Sequence, residues 1–208
     1  MNNELLTNQI YKNIFTEEEI KDIYSVINIK QTESTSIVPI YSQKAWHVHI
    51  PENVKNTITN FAKKVYKQNV KLEEISFARY SNDYGVLPNL TPHFDNTFLQ
   101  QRVTVDVQLK ANIDWPIVVE GKSFTLKDNE AVTFSGTHQI HWREHRKFFD
   151  IDFVEMLFCH FSLEEKKEIT IEEKCNVESK MSYFTNRFSF NLMEQIEYYQ
   201  NKLVNKHE

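Results

Sequence analysis

Apolar residues recur at two different periods along this chain, and the change between them falls near Lys71. Before it the spacing is helical. Thr16-Glu17-Glu18-Glu19 is a capping box, in which the Thr16 hydroxyl accepts from the third helical N–H and Glu19 reaches back. The helix it opens runs to about Asn28, with Ile20, Ile23, Tyr24 and Ile27 on one face. Residues 31–50 read as extended. Pro51 suits the first turn of a second helix, which carries Val54, Ile58, Phe61, Ala62 and Val65. Beyond Lys71 the period becomes two. Ile75, Phe77 and Arg79 alternate with Ser76, Ala78 and Tyr80. Val103, Val105, Val107 and Leu109 alternate with Thr104, Asp106, Gln108 and Lys110, the cleanest half-buried strand in the chain. Short strands are expected at 116–120, 122–126, 130–134 and 153–161, with turns at Gly121 and Lys127-Asp128-Asn129. After Ser162 the chain is charged and helical again, and Phe190 to Val204 suits a terminal helix. Helices, then strands, then helices predict an α+β fold: one domain over residues 1–208, with a strand core at about 71–161.

Composition narrows the function classes. A chain of 208 residues with 40% hydrophobic content can bury a sizeable core. Three glycines, with no GxGxxG and no GxxxxGK[ST], argue against dinucleotide and P-loop sites. A net charge of −5 gives no support for nucleic-acid binding through bulk charge. Cys159 and Cys175 form no CxxC motif, so neither a zinc knuckle nor a disulfide scaffold is expected. The first residues lack the build of a signal peptide, and no apolar run reaches about 18 residues. The expectation is a soluble cytoplasmic protein with reduced thiols and no membrane partner.

Candidate chemistry sits in Thr91-Pro92-His93-Phe94-Asp95-Asn96 and, 48 residues after His93, at His141. Side chains two apart on a strand share a face, so His93 and Asp95 aim into one pocket. A second His from a later strand completes a 2-His-1-carboxylate set, which holds Fe(II) on one side and leaves the opposite positions open. His138 competes with His141 for the third place. Its short distance from the strand ending at Phe134 favours His141. His47, His49, His145 and His160 read as surface or structural.

Over about residues 75–161 the chain resembles the Fe(II)- and 2-oxoglutarate-dependent oxygenases, specifically the prolyl-hydroxylase-like branch. The likeness is strongest at Arg79-Tyr80, at His93-Phe94-Asp95-Asn96 and over 128–141. It implies a double-stranded β-helix, or jelly roll, flanked by N-terminal and C-terminal helices. It further implies iron on His93, Asp95 and His141, chelated by 2-oxoglutarate, with dioxygen and a small-molecule or protein substrate as the other partners.

The chain departs from that pattern at one point. Family members place an Arg or Lys on the strand after the second His, where it pairs with the far carboxylate of 2-oxoglutarate. The corresponding strand here, Asp150 to Phe161, contains no base. Arg143 is the first choice for that role and Arg146 the second, with Arg102 and Lys110 as further alternatives. Tyr80 matches a cosubstrate-binding tyrosine, and equally a core aromatic. Asn96, Trp142, Asp83 and Tyr84 are further candidates for the substrate side. Two other readings stay open: a cupin-like metalloprotein without 2-oxoglutarate, and a non-catalytic jelly-roll binding module.

Overall fold

A computed structural model describes residues 8–30, 36–38, 43–82, 88–95, 102–163, 179–186 and 188. The expected N-terminal helices are both present. α1 (Glu17–Lys30) starts on its capping box, with the Thr16 N–H donating to Glu19 Oε2 at 2.8 Å and the Glu19 N–H donating to Thr16 Oγ1 at 3.2 Å. α2 (Glu52–Tyr66) follows Pro51 and buries Val54, Ile58, Ala62 and Tyr66, a strict four-residue stripe. Lys67 ends it in the left-handed conformation. Residues 179–186 are helical (α3), whereas the segment from Phe190 to Val204 lies outside the described residues.

Among the described residues, eleven strands form two antiparallel sheets. The larger contains β1 (Gln9–Lys12), β2 (Ser36–Val38), β3 (Gln43–His47), β4 (Val70–Ser81), β6 (Arg102–Ala111), β9 (Glu130–Phe134) and β11 (Phe153–Leu163), in the order β1-β9-β6-β11-β4-β3-β2. The smaller contains β5 (Leu90–His93), β7 (Ile117–Val119), β8 (Lys122–Phe124) and β10 (His141–Arg143), in the order β5-β10-β7-β8. Strands close in sequence are thus dealt between two sheets, which gives a jelly-roll-like arrangement with helices.

Strand alternation sorts the side chains into layers. Val103, Val105, Val107 and Leu109 of β6, with Leu157, Cys159 and Phe161 of β11, pack against Ile23 and Ile27 of α1 and the α2 stripe. The opposite faces of the same strands meet the smaller sheet. There Tyr80, Val132, Phe134, Val154 and Met156 contact Trp115, Ile117, Val119 and Phe124. Outside the smaller sheet, Val118 and Trp142 pack on Phe184 and Phe188. Full burial of each such side chain contributes about 1.5–3 kcal/mol, so the layers are held mainly by apolar burial. Among the described residues, no helix is long and apolar enough to cross a membrane.

β1 has no counterpart in the sequence reading. Its four residues, Gln-Ile-Tyr-Lys, are too few to show a period, and they form a strand because they pair with β9 at the sheet edge.

Candidate metal centre

The smaller sheet sets two histidines face to face. β5 pairs with β10 so that His93 lies opposite His141, and their ring centroids are 4.2 Å apart. Asp95 follows two residues after His93. Its N–H donates to the Gly136 carbonyl at 2.9 Å, which turns the chain back over the sheet. The Asp95 Oδ1 atom lies 3.0 Å from His141 Nε2 and 3.8 Å from His93 Nε2. Donor atoms of the three residues all fall within 4.8 Å of one another. Bonds of about 2.1 Å at right angles would separate neighbouring donors by roughly 3 Å, so the set needs only a small inward movement to hold a divalent ion.

Backbone carbonyls orient both rings. His93 Nδ1 bonds to the Thr91 carbonyl at 2.7 Å and His141 Nδ1 to the Gln139 carbonyl at 3.1 Å. Each carbonyl accepts a hydrogen bond from the Nδ1–H, which leaves Nε2 to face the metal position. Electrostatics concentrate charge there. Burial alone would raise the Asp95 carboxyl, but the imidazoles of His141, His160 and His93 hold it far below the usual carboxylate range. Burial opposes charge on His141 too, yet the Asp95 charge and hydrogen bond raise its pKa. His93 is pulled down to about 4 by burial and by the neighbouring His141. The hydrogen bond from His141 Nε2 to Asp95 joins two groups that would both hold a cation.

His138 does not join this set. It lies in the turn after β9, where its Nδ1 is 3.1 Å from Ser135 Oγ and 3.0 Å from Thr137 Oγ1. His47 is exposed and meets Glu74 at 3.4 Å, and His145 packs beside Phe188. His160 differs from expectation. Its Nε2 is 3.9 Å from Asp95 Oδ2, so it borders the centre instead of lying at the surface. It projects from the barrel side of β11, opposite Thr104 of β6.

A second group lies deeper between the sheets. Arg143 is 1% exposed. One of its Nη atoms donates to the Trp115 carbonyl, and the other lies 3.4 Å from the Met156 sulfur. Its guanidinium carbon is 5.0 Å from the Trp115 ring centre. Nε has no partner, and among the described residues no carboxylate comes within ion-pair distance. Burial lowers its pKa, while Tyr80 and Asp106 act in the other direction. Tyr80 is fully buried and meets Trp115 edge-on, with centroids 4.8 Å apart. Asp106 projects from β6 into the same interior. Its Oδ1 lacks a partner, and burial together with the Asp95 charge raises its pKa to about 7.

The remaining candidates fall elsewhere. Arg146 is partly exposed in the loop after β10, and its N–H donates to the Pro88 carbonyl at 3.0 Å. Lys110 is exposed. Arg79 turns to the helix side, where it pairs with Glu155 at 2.5 Å. Trp142 packs outward, 4.9 Å from the Phe184 ring. The Arg102 side chain and residues Asp83, Tyr84 and Asn96 lie outside the described residues.

No family model matches the chain, and no curated protein matches it. Solved structures do match, 312 chains in all. One is the viral collagen prolyl hydroxylase of Paramecium bursaria Chlorella virus-1 in complex with 2-oxoglutarate. It is 12% identical, covers 76% of this chain and 96% of its own, and gives a TM-score of 0.56. Another is HygX of Streptomyces hygroscopicus with nickel, 2-oxoglutarate and hygromycin B, at 10% identity, 81% and 87% coverage and a TM-score of 0.56. A third is the Trichoplax adhaerens prolyl hydroxylase bound to a hypoxia-inducible-factor peptide, at 11% identity, 85% and 86% coverage and a TM-score of 0.55. The chain therefore has the fold of the Fe(II)- and 2-oxoglutarate-dependent oxygenases, prolyl hydroxylases among them.

Proposed function

We propose that this protein is an Fe(II)- and 2-oxoglutarate-dependent dioxygenase, acting as a hydroxylase, on a double-stranded β-helix. The observation that carries this reading is the pairing of two features in one barrel. One is a facial His93–Asp95–His141 donor set. The other is a buried guanidinium, Arg143, with an unpartnered Nε and, among the described residues, no carboxylate within ion-pair distance. An unpaired buried charge costs several kcal/mol unless a ligand supplies its counter-charge. A cosubstrate with a metal-chelating end and a distal carboxylate satisfies both features. A cupin-like barrel without 2-oxoglutarate leaves Arg143 unmatched.

The donor set fits ferrous iron: two imidazoles, one carboxylate, and an open side. When bound, iron with 2-oxoglutarate and dioxygen supplies the oxidising chemistry that hydroxylates a C–H bond. The chain's own residues bind, orient and exclude water. The Thr91 and Gln139 carbonyls hold Nδ1 of each ring, so that Nε2 is the atom that would ligate the metal, and His141 would give up its Nε2 proton on metal binding. Arg143 takes the far carboxylate, with Arg146 as the second choice, and Tyr80, edge-on to the Trp115 ring, is the further candidate for binding the cosubstrate. Val132, Phe134 and Met156 form an apolar wall that excludes water. The substrate is a small molecule or a protein side chain. A reducing cytoplasmic setting suits both ferrous iron and the buried Cys159 thiol.

The test is turnover without added substrate. Fe(II), 2-oxoglutarate and air should give slow succinate formation that Asp95→Ala abolishes. Succinate formation unchanged in Asp95→Ala, or none in the wild type together with no 2-oxoglutarate binding, would overturn the reading.

A further inference from the structure

Asp95 has two carboxylate oxygens, and the protein treats them differently. Oδ1 faces the two imidazoles. Oδ2 is turned away and enclosed on three sides. The Thr104 hydroxyl donates a hydrogen bond to it. Gly136 packs flat against it, so closely that a Cβ at that position would overlap the carboxylate. His160 Nε2 stands 3.9 Å off. Thr104 is itself fixed from the helix layer, because the buried Tyr66 hydroxyl bonds to the Thr104 carbonyl at 2.7 Å and reaches the Phe134 carbonyl at 3.0 Å.

Denticity matters at such a centre. An octahedral ion held by three single donors keeps three positions free. A bidentate chelator takes two, and one remains. If the carboxylate swung round to bind through both oxygens, it would occupy that last position or compete with the chelator.

We propose that Thr104 is a positioning residue that keeps Asp95 monodentate, its hydroxyl holding Oδ2 off the metal so that one coordination position stays open. This rests on the metal site described above. Thr104 touches no metal and no substrate. Its effect passes through one hydrogen bond to Asp95, with Gly136 leaving the carboxylate the room to adopt that pose. A chain with the same three ligands and a valine at 104 would bind the metal and lose the vacancy.

The test compares Thr104→Val, which keeps the shape and removes the hydroxyl, with Thr104→Ser, which keeps the hydroxyl. The readout is the infrared difference spectrum on anaerobic Fe(II) loading, with isotope-labelled aspartate. A monodentate carboxylate shows a wide separation between its two stretching bands and a bidentate one a narrow separation. Wild type and Thr104→Ser should give the wide separation, and Thr104→Val the narrow one. Thr104→Val should also weaken 2-oxoglutarate binding about tenfold or more, with a smaller change in Fe(II) affinity. If Thr104→Val does not fold, Thr104→Ala is read the same way. A wide separation in the variant lacking the hydroxyl, or a narrow one in Thr104→Ser, would overturn the proposal. The iron-only spectrum needs no cosubstrate. A protein that never binds 2-oxoglutarate therefore refutes the proposed function, and its infrared spectra still decide the role of Thr104.

Discussion

The two faces of β6 and β11 are both buried, yet they are built to opposite rules. Toward the helices they present Val103, Val105, Val107, Leu109, Leu157, Cys159 and Phe161, an aliphatic and aromatic surface in which the Glu155 carboxylate is held by Arg79 and Tyr24. Toward the smaller sheet the same strands present Thr104, Asp106, Gln108, Met156 and His160. Most polar atoms on that side have partners. Thr104 bonds to Asp95, and Gln108 donates to the Leu126 carbonyl at 3.1 Å. Asp106 Oδ1 and the nearby Arg143 Nε do not. Buried polar atoms are normally satisfied, so two orphans in one interior mark where a ligand's atoms are expected. One face supplies stability and tolerates any well-fitting hydrophobe. The other gives up stability for a site.

The largest expected break in this contrast is at Arg143. Arg143→Ala should weaken 2-oxoglutarate binding by about 2–5 kcal/mol, tens- to thousands-fold, with Fe(II) affinity nearly unchanged. Arg143→Lys should recover only part, because a point charge replaces a two-pronged donor. Calorimetric titration of 2-oxoglutarate into metal-loaded variants decides it, and an unchanged dissociation constant would move the role to Arg146.

On the helix-facing side the expectation reverses. Leu157→Ala should cost about 2–5 kcal/mol of folding stability by denaturant unfolding, with unchanged iron stoichiometry below the melting point. A loss of iron binding in the folded variant would show that the faces are not separable.

Asp106 sharpens the contrast through pH. Its folded pKa, about 7, lies above the unfolded value of about 3.9. The folded state therefore holds the proton longer. Asp106's own contribution to the stability of the metal-free protein is greatest below about pH 4 and falls as pH rises toward 7. Asp106→Asn removes that penalty. It should leave stability at pH 4 unchanged and raise it by about 2–4 kcal/mol at pH 8. Equal gains at both pH values would show that the Asp106 charge is not the cause.

The smallest effect is a count of protons. With the His141 pKa raised by Asp95, iron binding at pH 7 should release up to about one proton, less as pH rises. Titration calorimetry in two buffers of different ionisation enthalpy measures it. No release at pH 7 would mean that His141 is already neutral.

Much of this was legible in the sequence, and the physics explains which parts. The alternation in 103–110 and the capping box at Thr16 are local patterns, and both elements formed as read. The His93, Asp95 and His141 set was legible from residue type and spacing, although β5 ends at His93 and Asp95 is aimed by the bend that follows, not by strand alternation. Three features were not. β1 forms only because β9 offers an edge. His160 and Thr104 meet Asp95 only after β6 and β11 pair and the chain turns at Gly136. The polar side of β6 could be read as polar, but alternation cannot tell a solvent face from a barrel interior. Arg143, which its local sequence would place equally well in a surface turn, is 1% exposed, because β10 continues inward from His141 between β5 and β7.

In the proposed function one barrel would hold iron at His93, Asp95 and His141 together with a dicarboxylate whose far end Arg143 binds. Anaerobic titration of Fe(II) into the protein, with and without 2-oxoglutarate, tests it most directly through the weak visible metal-to-ligand absorption of the chelate. The band should appear only when both are present, saturate at one iron per chain, and be absent in Asp95→Ala. Iron binding with no band at saturating 2-oxoglutarate, or an undiminished band in Asp95→Ala, would contradict the account.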